Sequence, residues 1–233
     1  MKRPTSKFTH ITNLALIVTV HDILAELARH EQVLIGTDIE RLIYFSRTYA
    51  VMNRTIHEVC LEGYFSHPVI MGQLQIAFAH TYFETLNTYA RTGRLPPRWQ
   101  IATNHRLIRL QPAGVSLLLG VSAHIQCDAA ASLRRIAVEP DLLANDYLRV
   151  NQLLFQSSDK IARSYSPNPR LQLVREIARK LLVVPICLSI FRLRRKAWGE
   201  YQIEVNPASA VLNHCLETSR YPQGNKALQE LEI

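Results

Sequence analysis

Apolar residues recur at steps of three and four along most of the chain, which is the period of amphipathic α-helices. The first long stripe follows Thr37 and Glu40, whose spacing is that of a capping box, and it ends near Gly63. A second stripe starts after Ser66, a candidate N-cap, and ends near Gly93. The pattern therefore predicts two long helices in the first 100 residues.

The most apolar segment, residues 112–136, carries Leu, Val and Ile around nearly its whole circumference. A helix that is apolar on all sides is normally buried, so we expect this one at the centre of the fold. A further helix is predicted over residues 142–164. Others are predicted from Arg170, with a kink at Pro185, and over residues 208–218.

The only stretch that alternates as a strand would is residues 201–205. We therefore predict an all-α protein with one domain over residues 1–233. The expected architecture is an antiparallel helical bundle around the apolar helix at 112–136. Residues 1–8 and 222–233 are expected to be flexible ends.

The composition narrows the class of protein. Hydrophobic residues make up 48% and charged residues 20% of the 233 positions, which excludes a disordered chain. The four cysteines form no C-x-x-C pair, which favours reduced thiols over a disulfide framework or a zinc ribbon. The basic N-terminus and the apolar residues 14–20 resemble a signal peptide, but no small-residue cleavage site follows, so we expect a cytoplasmic protein.

The net charge is +8, and several of the basic residues follow directly after an apolar run at residues 181–191, LLVVPICLSIF. This run is about half the ~18–20 residues that span a bilayer. It is either a buried helix followed by a solvated basic turn, or an interfacial segment that meets a membrane peripherally. The membrane contacts would then be Arg192, Arg194, Arg195 and Lys196. Aromatic residues are not interleaved with the basic ones, so a nucleic-acid partner is not expected.

Two polar residues, His124 and Asp128, interrupt the apolar helix. They lie four positions apart and so project from one face. Burying them costs free energy unless they are paired, hydrogen-bonded or bound to a metal. The pair can hold one divalent metal ion if another helix adds a ligand, or it can be a satisfied His–Asp bridge between helices.

Other predicted helices offer residues that can complete a site. Asn151 lies among apolar neighbours, where its amide must find hydrogen bonds. Tyrosines on the inner faces are either catalytic acids or core residues with a tethered hydroxyl. The candidate catalytic residues are His124, Asp128, Asn151 and Tyr82, of which His124 and Asp128 are also the candidate metal ligands. The candidate substrate-binding residues are Tyr49, Asn53, Phe78 and Trp99.

Four segments resemble the bacterial family catalogued as domain of unknown function 5995. They are GYFSHP followed by AFAHTYF, the turn PRW, the segment LGVSAHIQCD, and DYLRVN. The third is the most specific, although Ser122 and Gln126 stand where asparagine is common in the family. The resemblance implies an all-helical fold and a shared constellation of His124, Asp128 and Asn151. It implies no reaction.

The L-G-x-x-x-H-x-x-x-D spacing is also similar to a signature of the helical zinc phospholipase C and single-strand nuclease fold, in which the His and Asp bind zinc. This chain lacks that fold's N-terminal Trp ligand and its other His-rich helices. The similarity therefore implies at most a one-metal site.

Three functions stay open at this point. The first is a helical enzyme with a buried His–Asp site, which performs metal-dependent hydrolysis or acid–base chemistry on an apolar or phosphorylated small molecule. The second is a non-catalytic module that binds a lipid or an isoprenoid and presents a basic edge to a membrane. The third is a scaffold in which the His–Asp pair is structural.

Overall fold

The computed structural model describes residues 6–103, 113–157, 160–161 and 184–205. Within these ranges there are seven α-helices and no strand, which confirms the all-α prediction. The helices are α1 (Val20–Val33), α2 (Leu42–Leu61), α3 (Pro68–Thr92), α4 (Pro97–Thr103), α5 (Ala113–Ile136), α6 (Pro140–Gln156) and α7 (Val184–Val205).

Helix α5 is the central helix, as its apolar circumference predicts. It packs against α2, α3, α4 and α7. Ala123 belongs to a first core cluster, which α5 shares with α1 to α4. Ile125, Ala129 and Leu133 belong to a second core cluster, which α5 shares with the start of α3 and with α6 and α7. Helix α5 therefore separates the two clusters and contributes to both.

Gly120 brings α5 and α2 close together. A Cβ atom at this position would lie 2.7 Å from the Cβ of Phe45, which is nearer than two carbon atoms normally approach. Any larger residue would displace Phe45 or the backbone of α2. The glycine thus positions the α2 side chains that face the middle of α5.

The start of α2 differs from the prediction. Thr37 donates its hydroxyl to the carbonyl of Leu34, just after α1, at 2.8 Å, and α2 begins only at Leu42. The predicted capping box is wrong because the preceding helix engages the threonine. A capping box does form at the start of α1, between Thr19 and Asp22.

A residue of another helix caps the start of α3. The predicted cap, Ser66, does not do so. Asp146 of α6 is fully buried, and its carboxylate accepts hydrogen bonds from the backbone N–H of Ser66 (3.0 Å) and His67 (2.7 Å). A carboxylate is favoured here by the helix dipole. This contact joins α3 to α6.

The chain before α1 is held against α3. The Asn87 side chain accepts a hydrogen bond from the Thr12 N–H (2.8 Å) and donates one to the Thr12 carbonyl (2.9 Å). Phe8 is 2% exposed, so the flexible end expected over residues 1–8 is ordered at least from Ser6 onward. Residues 1–5 lie outside the described ranges.

Other boundary predictions have mixed outcomes. Residues 201–205, whose pattern alternates as a strand would, form the end of α7. The helix predicted at 142–164 appears as α6. The helix predicted from Arg170 is described only from Val184, where α7 begins, and Pro185 lies in the first turn of α7. The helix predicted over 208–218 and the flexible end at 222–233 lie outside the described residues. None of the helices described here combines the length and apolarity needed to cross a bilayer.

Candidate functional site

A cavity of about 100 Å³ lies beside α5, where the two core clusters meet. Side chains from α2, α3, α5, α6 and α7 form its wall, and most of them are apolar. It is small compared with drug-sized pockets of roughly 300–1,000 Å³. The polar residues of the wall are Thr48, Tyr49, Asn53, Gln75, His124 and Arg194.

His124 and Asp128 form a buried hydrogen-bonded pair on α5. Nδ1 of His124 lies 2.7 Å from Oδ2 of Asp128, and the two residues are 6% and 1% exposed. Burial raises the pKa of Asp128 above its usual range, although the hydrogen bond and the charge of His124 act in the opposite direction. We assign the imidazole proton to Nδ1, the arrangement in which an ionised Asp128 accepts the hydrogen bond. Nε2 is then left as the basic nitrogen of a residue that lines the cavity.

Aromatic rings surround the imidazole of His124. They hold the ring in place. The ring centroids lie 4.7 to 6.4 Å from that of His124 and belong to Phe45, Tyr49, Phe78, Tyr82 and Trp99.

Of the four residues predicted to bind substrate, three line the cavity: Tyr49, Asn53 and Phe78. Trp99 is fully buried and packs behind His124, away from the cavity wall. Three hydrogen bonds hold Asn53. Its side-chain amide donates to the Tyr49 backbone carbonyl (2.9 Å), and the Gln75 side chain donates to the backbone carbonyl (2.9 Å) and to Oδ1 (3.2 Å) of Asn53. These residues therefore form one wall of the site.

Two of the predicted catalytic residues stand outside the cavity wall. Tyr82 is fully buried, and its hydroxyl lies 3.1 Å from the hydroxyl of Ser46. Burial raises the pKa of Tyr82, which disfavours its ionisation. Both polar atoms of the Asn151 amide are buried and have no hydrogen-bond partner within the described ranges. The structure thus brings His124 and Asp128 together, but it does not bring Asn151 to them.

The donor set at His124 and Asp128 does not fit a metal centre. No third His, Cys, Asp or Glu within the described ranges joins the pair, and the Asp128 carboxylate binds the imidazole itself. A zinc site needs at least three protein ligands. In the described ranges, the group that does bring three such side chains together consists of His10, Glu26 and His30, with ligand atoms within 4.8 Å of one another.

The cluster of His10, Glu26 and His30 is linked by hydrogen bonds. Glu26 Oε1 lies 2.7 Å from His10 Nε2 and accepts from the Thr12 hydroxyl at 2.6 Å, and the same hydroxyl lies 3.0 Å from His30 Nε2. Burial raises the pKa of Glu26, but contacts with His30, His10 and Thr12 outweigh it and lower the pKa to about 2. The cluster ties the chain before α1 to that helix.

Arg194 was predicted in a membrane-facing basic patch, and the structure corrects this. Its side chain is 7% exposed and lines the cavity, so it cannot meet a membrane surface. Its Nη2 donates to the Tyr147 carbonyl (2.8 Å), and its guanidinium carbon lies 4.1 Å from the centre of the Tyr147 ring. Burial lowers the pKa of Arg194. Arg192 and Lys196 are exposed.

A signal in the sequence could have placed Arg194 inside. The buried residues of α7 are Ile190, Ala197, Trp198 and Tyr201, and Arg194 continues their helical spacing of three and four. Arg194 therefore lies on the apolar stripe of α7, although its neighbours in sequence are basic.

One known protein family matches the chain. Residues 20–218 match a family described as "Family of unknown function (DUF5995)". The chain belongs to this family. The matched region of this DUF5995 protein includes all seven helices and the whole cavity wall. Searches among curated proteins and among solved structures find no match to the chain.

Two of the DUF5995-like segments meet in the structure. Asp146, in the segment DYLRVN, accepts the hydrogen bonds from Ser66 and His67, in the segment GYFSHP. A third segment, LGVSAHIQCD, carries His124 and Asp128. Residues of the DUF5995-like segments thus contribute both to the contact between α3 and α6 and to the cavity beside α5.

Proposed function

We propose that this DUF5995 protein is an enzyme that transfers protons on a small, largely apolar molecule held in the cavity. The observation that supports this most is the buried 2.7 Å contact between Asp128 Oδ2 and His124 Nδ1 at the cavity wall. A carboxylate in this position orients the imidazole and stabilises the imidazolium, while the other ring nitrogen acts as general base.

In the proposed reaction, Nε2 of His124 takes a proton from one atom of the substrate and returns it to another. Such an isomerisation balances without a co-reactant. Asp128 keeps its hydrogen bond to Nδ1 throughout and does not take the proton. The apolar wall limits the access of water, which strengthens the electrostatic interaction between the carboxylate and the imidazolium.

The alternatives named from the sequence receive less support. Metal-dependent hydrolysis needs a third protein ligand beside His124 and Asp128, and none of the described residues supplies one. A structural His–Asp bridge would join two helices, but both residues lie one turn apart on α5. Their bond therefore ties no two helices together.

A non-catalytic binding module is the second candidate, and the predominance of apolar side chains in the cavity wall favours it. Such a module would retain a ligand without turning it over. For either function we propose a cytoplasmic location, which the free thiols of Cys60 and Cys127 support. Arg192 and Lys196 remain the candidates for peripheral contact with a membrane.

Solvent deuterium exchange tests the proposed function before the substrate has been identified. The full chain is incubated in D₂O with small molecules that carry acidic C–H bonds, and deuterium incorporation is followed by NMR. We expect exchange of at least one compound above the buffer rate, and a loss of about a hundredfold or more in His124→Gln. His57→Gln, which alters a histidine outside the cavity wall, should match the wild type.

Equal exchange rates in the wild type and His124→Gln would contradict the proposed function. Saturable binding of a compound whose protons never exchange would favour the binding module.

A further inference from the structure

Arg194 is a buried cation without an acidic partner in the part of the chain that the structure describes. It is 7% exposed, and the one hydrogen bond of its side chain to a described residue runs from Nη2 to the Tyr147 carbonyl. Nε is buried and has no hydrogen-bond partner there. A guanidinium removed from water without an anion is costly, and the Tyr147 ring compensates for only part of that cost. Binding of an anion would remove the remainder.

The cavity wall holds a second buried donor with unused capacity. The hydroxyl of Tyr49 has no hydrogen-bond partner among the described residues, and Tyr49 lines the same cavity as Arg194. A carboxylate accepts hydrogen bonds from both a guanidinium and a phenolic hydroxyl. The two residues that carry these donors therefore line one cavity.

The charge and the size of the cavity narrow the ligand further. Arg194 is the single charged side chain among the described lining residues, which matches one negative charge. A phosphate monoester carries about −1.5 to −2 charges at neutral pH and calls for more donors. The volume of about 100 Å³ is below the roughly 150 Å³ of an engineered apolar cavity that takes up benzene, which limits the ligand to at most about six non-hydrogen atoms, as in propanoate or butanoate.

We propose that the cavity binds a short-chain aliphatic carboxylate, with the carboxylate on Arg194 and the hydrocarbon chain against the apolar wall. The inference rests on the proposed function in naming its substrate class, because His124 lines the same cavity. Arg194 is then the residue that selects for charge, and the small apolar volume selects for chain length.

Calorimetric titration of the full chain tests this inference. The ligands are propanoate and butanoate, their neutral isosteres propanamide and butanamide, and propyl phosphate. We expect the carboxylates to bind saturably and the amides to bind at least about tenfold more weakly, since charge-assisted hydrogen bonds are lost. Propyl phosphate should bind more weakly than butanoate.

Variants assign the preference to Arg194. Arg194→Met should bind butanoate and butanamide equally, whereas Arg192→Met, a change of the exposed arginine two residues earlier, should keep the wild-type preference. Circular dichroism checks the fold of each variant. If Arg194→Met does not fold, Arg194→Lys takes its place, and it should keep the sign of the preference at reduced size, because lysine retains the charge but not the planar fork.

Equal affinity for carboxylates and amides in the wild type would overturn the inference. So would the absence of carboxylate binding, tighter binding of propyl phosphate, or a preference that survives in Arg194→Met. The titration measures binding alone. Carboxylate binding without proton exchange would therefore support this inference and overturn the proposed function. Proton exchange on neutral compounds only would support the proposed function and overturn this inference.

Discussion

At the scale of single residues, Asp128 determines which nitrogen of His124 is basic. Asn at position 128 can donate as well as accept, so Asp128→Asn should no longer fix the proton on Nδ1. We expect proton exchange to fall by about 10³- to 10⁴-fold. Because asparagine has the size of aspartate and brings no charge into the core, Asp128→Asn should keep the fold intact.

The exchange assay combined with thermal unfolding checks this expectation. Asp141→Asn, a change of an exposed aspartate in the first turn of α6, is the matched control and should behave as the wild type. Full exchange activity in Asp128→Asn would show that the carboxylate does not control the imidazole.

Individual residues also show which parts of the site can be predicted from the sequence alone. His124 and Asp128 are predictable because two polar side chains on an otherwise apolar helix have few ways to be satisfied. Arg194 is hidden by the basic residues beside it, although its helical spacing places it on the buried stripe of α7. Phe45 forms part of the cavity wall and contacts the imidazole, but only the packing of α2 on α5 brings it there.

At the scale of helices, Gly120 should be the position most sensitive to a small increase in size. In Gly120→Ala, the new methyl group would meet the Cβ of Phe45 at 2.7 Å, so α2 must move away from α5. Overpacking costs about 1–3 kcal/mol, which outweighs a gain in helix propensity of up to about 1 kcal/mol. Urea unfolding should therefore show a destabilised protein.

Gly72→Ala provides the matched control within α3. Nothing lies within 4 Å of a Cβ at Gly72, so only the gain in helix propensity applies. We expect unchanged or slightly higher stability. A Gly120→Ala protein as stable as Gly72→Ala would contradict the close approach of α2 and α5.

The cap of α3 is the second feature at this scale. Asp146→Ala removes the acceptor of the Ser66 and His67 N–H groups and leaves them without it in a partly buried joint. We expect a loss of about 2–3 kcal/mol in the free energy of unfolding, the range for hydrogen bonds to charged groups. Asn145→Ala, at an exposed position beside it, should change little, and equal stability of the two variants would contradict the cap.

The apolar stripes predict the helices themselves, but they do not predict the residues at which the helices begin. Both Thr37 and Ser66 carry the right side chain for an N-cap, and neither caps the expected helix. The Thr37 hydroxyl bonds to the end of the preceding helix, and a carboxylate 80 positions along the chain caps α3. Tertiary contacts of this kind leave no trace in the local pattern.

At the scale of the whole molecule, an all-round apolar α5 predicts a bundle around it, and the bundle forms. The cavity is not predictable in the same way, because it is the space left where two core clusters fail to fill the junction between five helices. Its volume depends on how all of those helices pack.

Acid stability is also a property of the whole molecule, since Glu26 helps to fix the chain before α1. The pKa of Glu26 is lowered from 4.5 to about 2 in the folded protein, so Glu26 adds stability above about pH 4.5, and this is lost as the pH falls toward 2. Burial lowers the pKa of His30, so protonation of the unfolded chain below about pH 6.5 acts in the same direction.

Urea unfolding between pH 7 and pH 3 measures this dependence. We expect the free energy of unfolding to fall with pH, and to fall less steeply below pH 4.5 in Glu26→Gln. Glu31→Gln is the control, because Glu31 is a more exposed acid of the same helix that pairs with Arg47. Identical slopes in the wild type and Glu26→Gln would contradict the stabilising role of this carboxylate.

The most direct test of the central claim is the tautomer of His124, read from long-range ¹H–¹⁵N NMR spectra with the resonance assigned through His124→Gln. We expect the pattern of an imidazole with its proton on Nδ1 and a bare Nε2, and we expect that pattern to disappear in Asp128→Asn. A proton on Nε2, or the averaged pattern of an exposed histidine, would contradict the assignment of His124 as a general base facing the cavity.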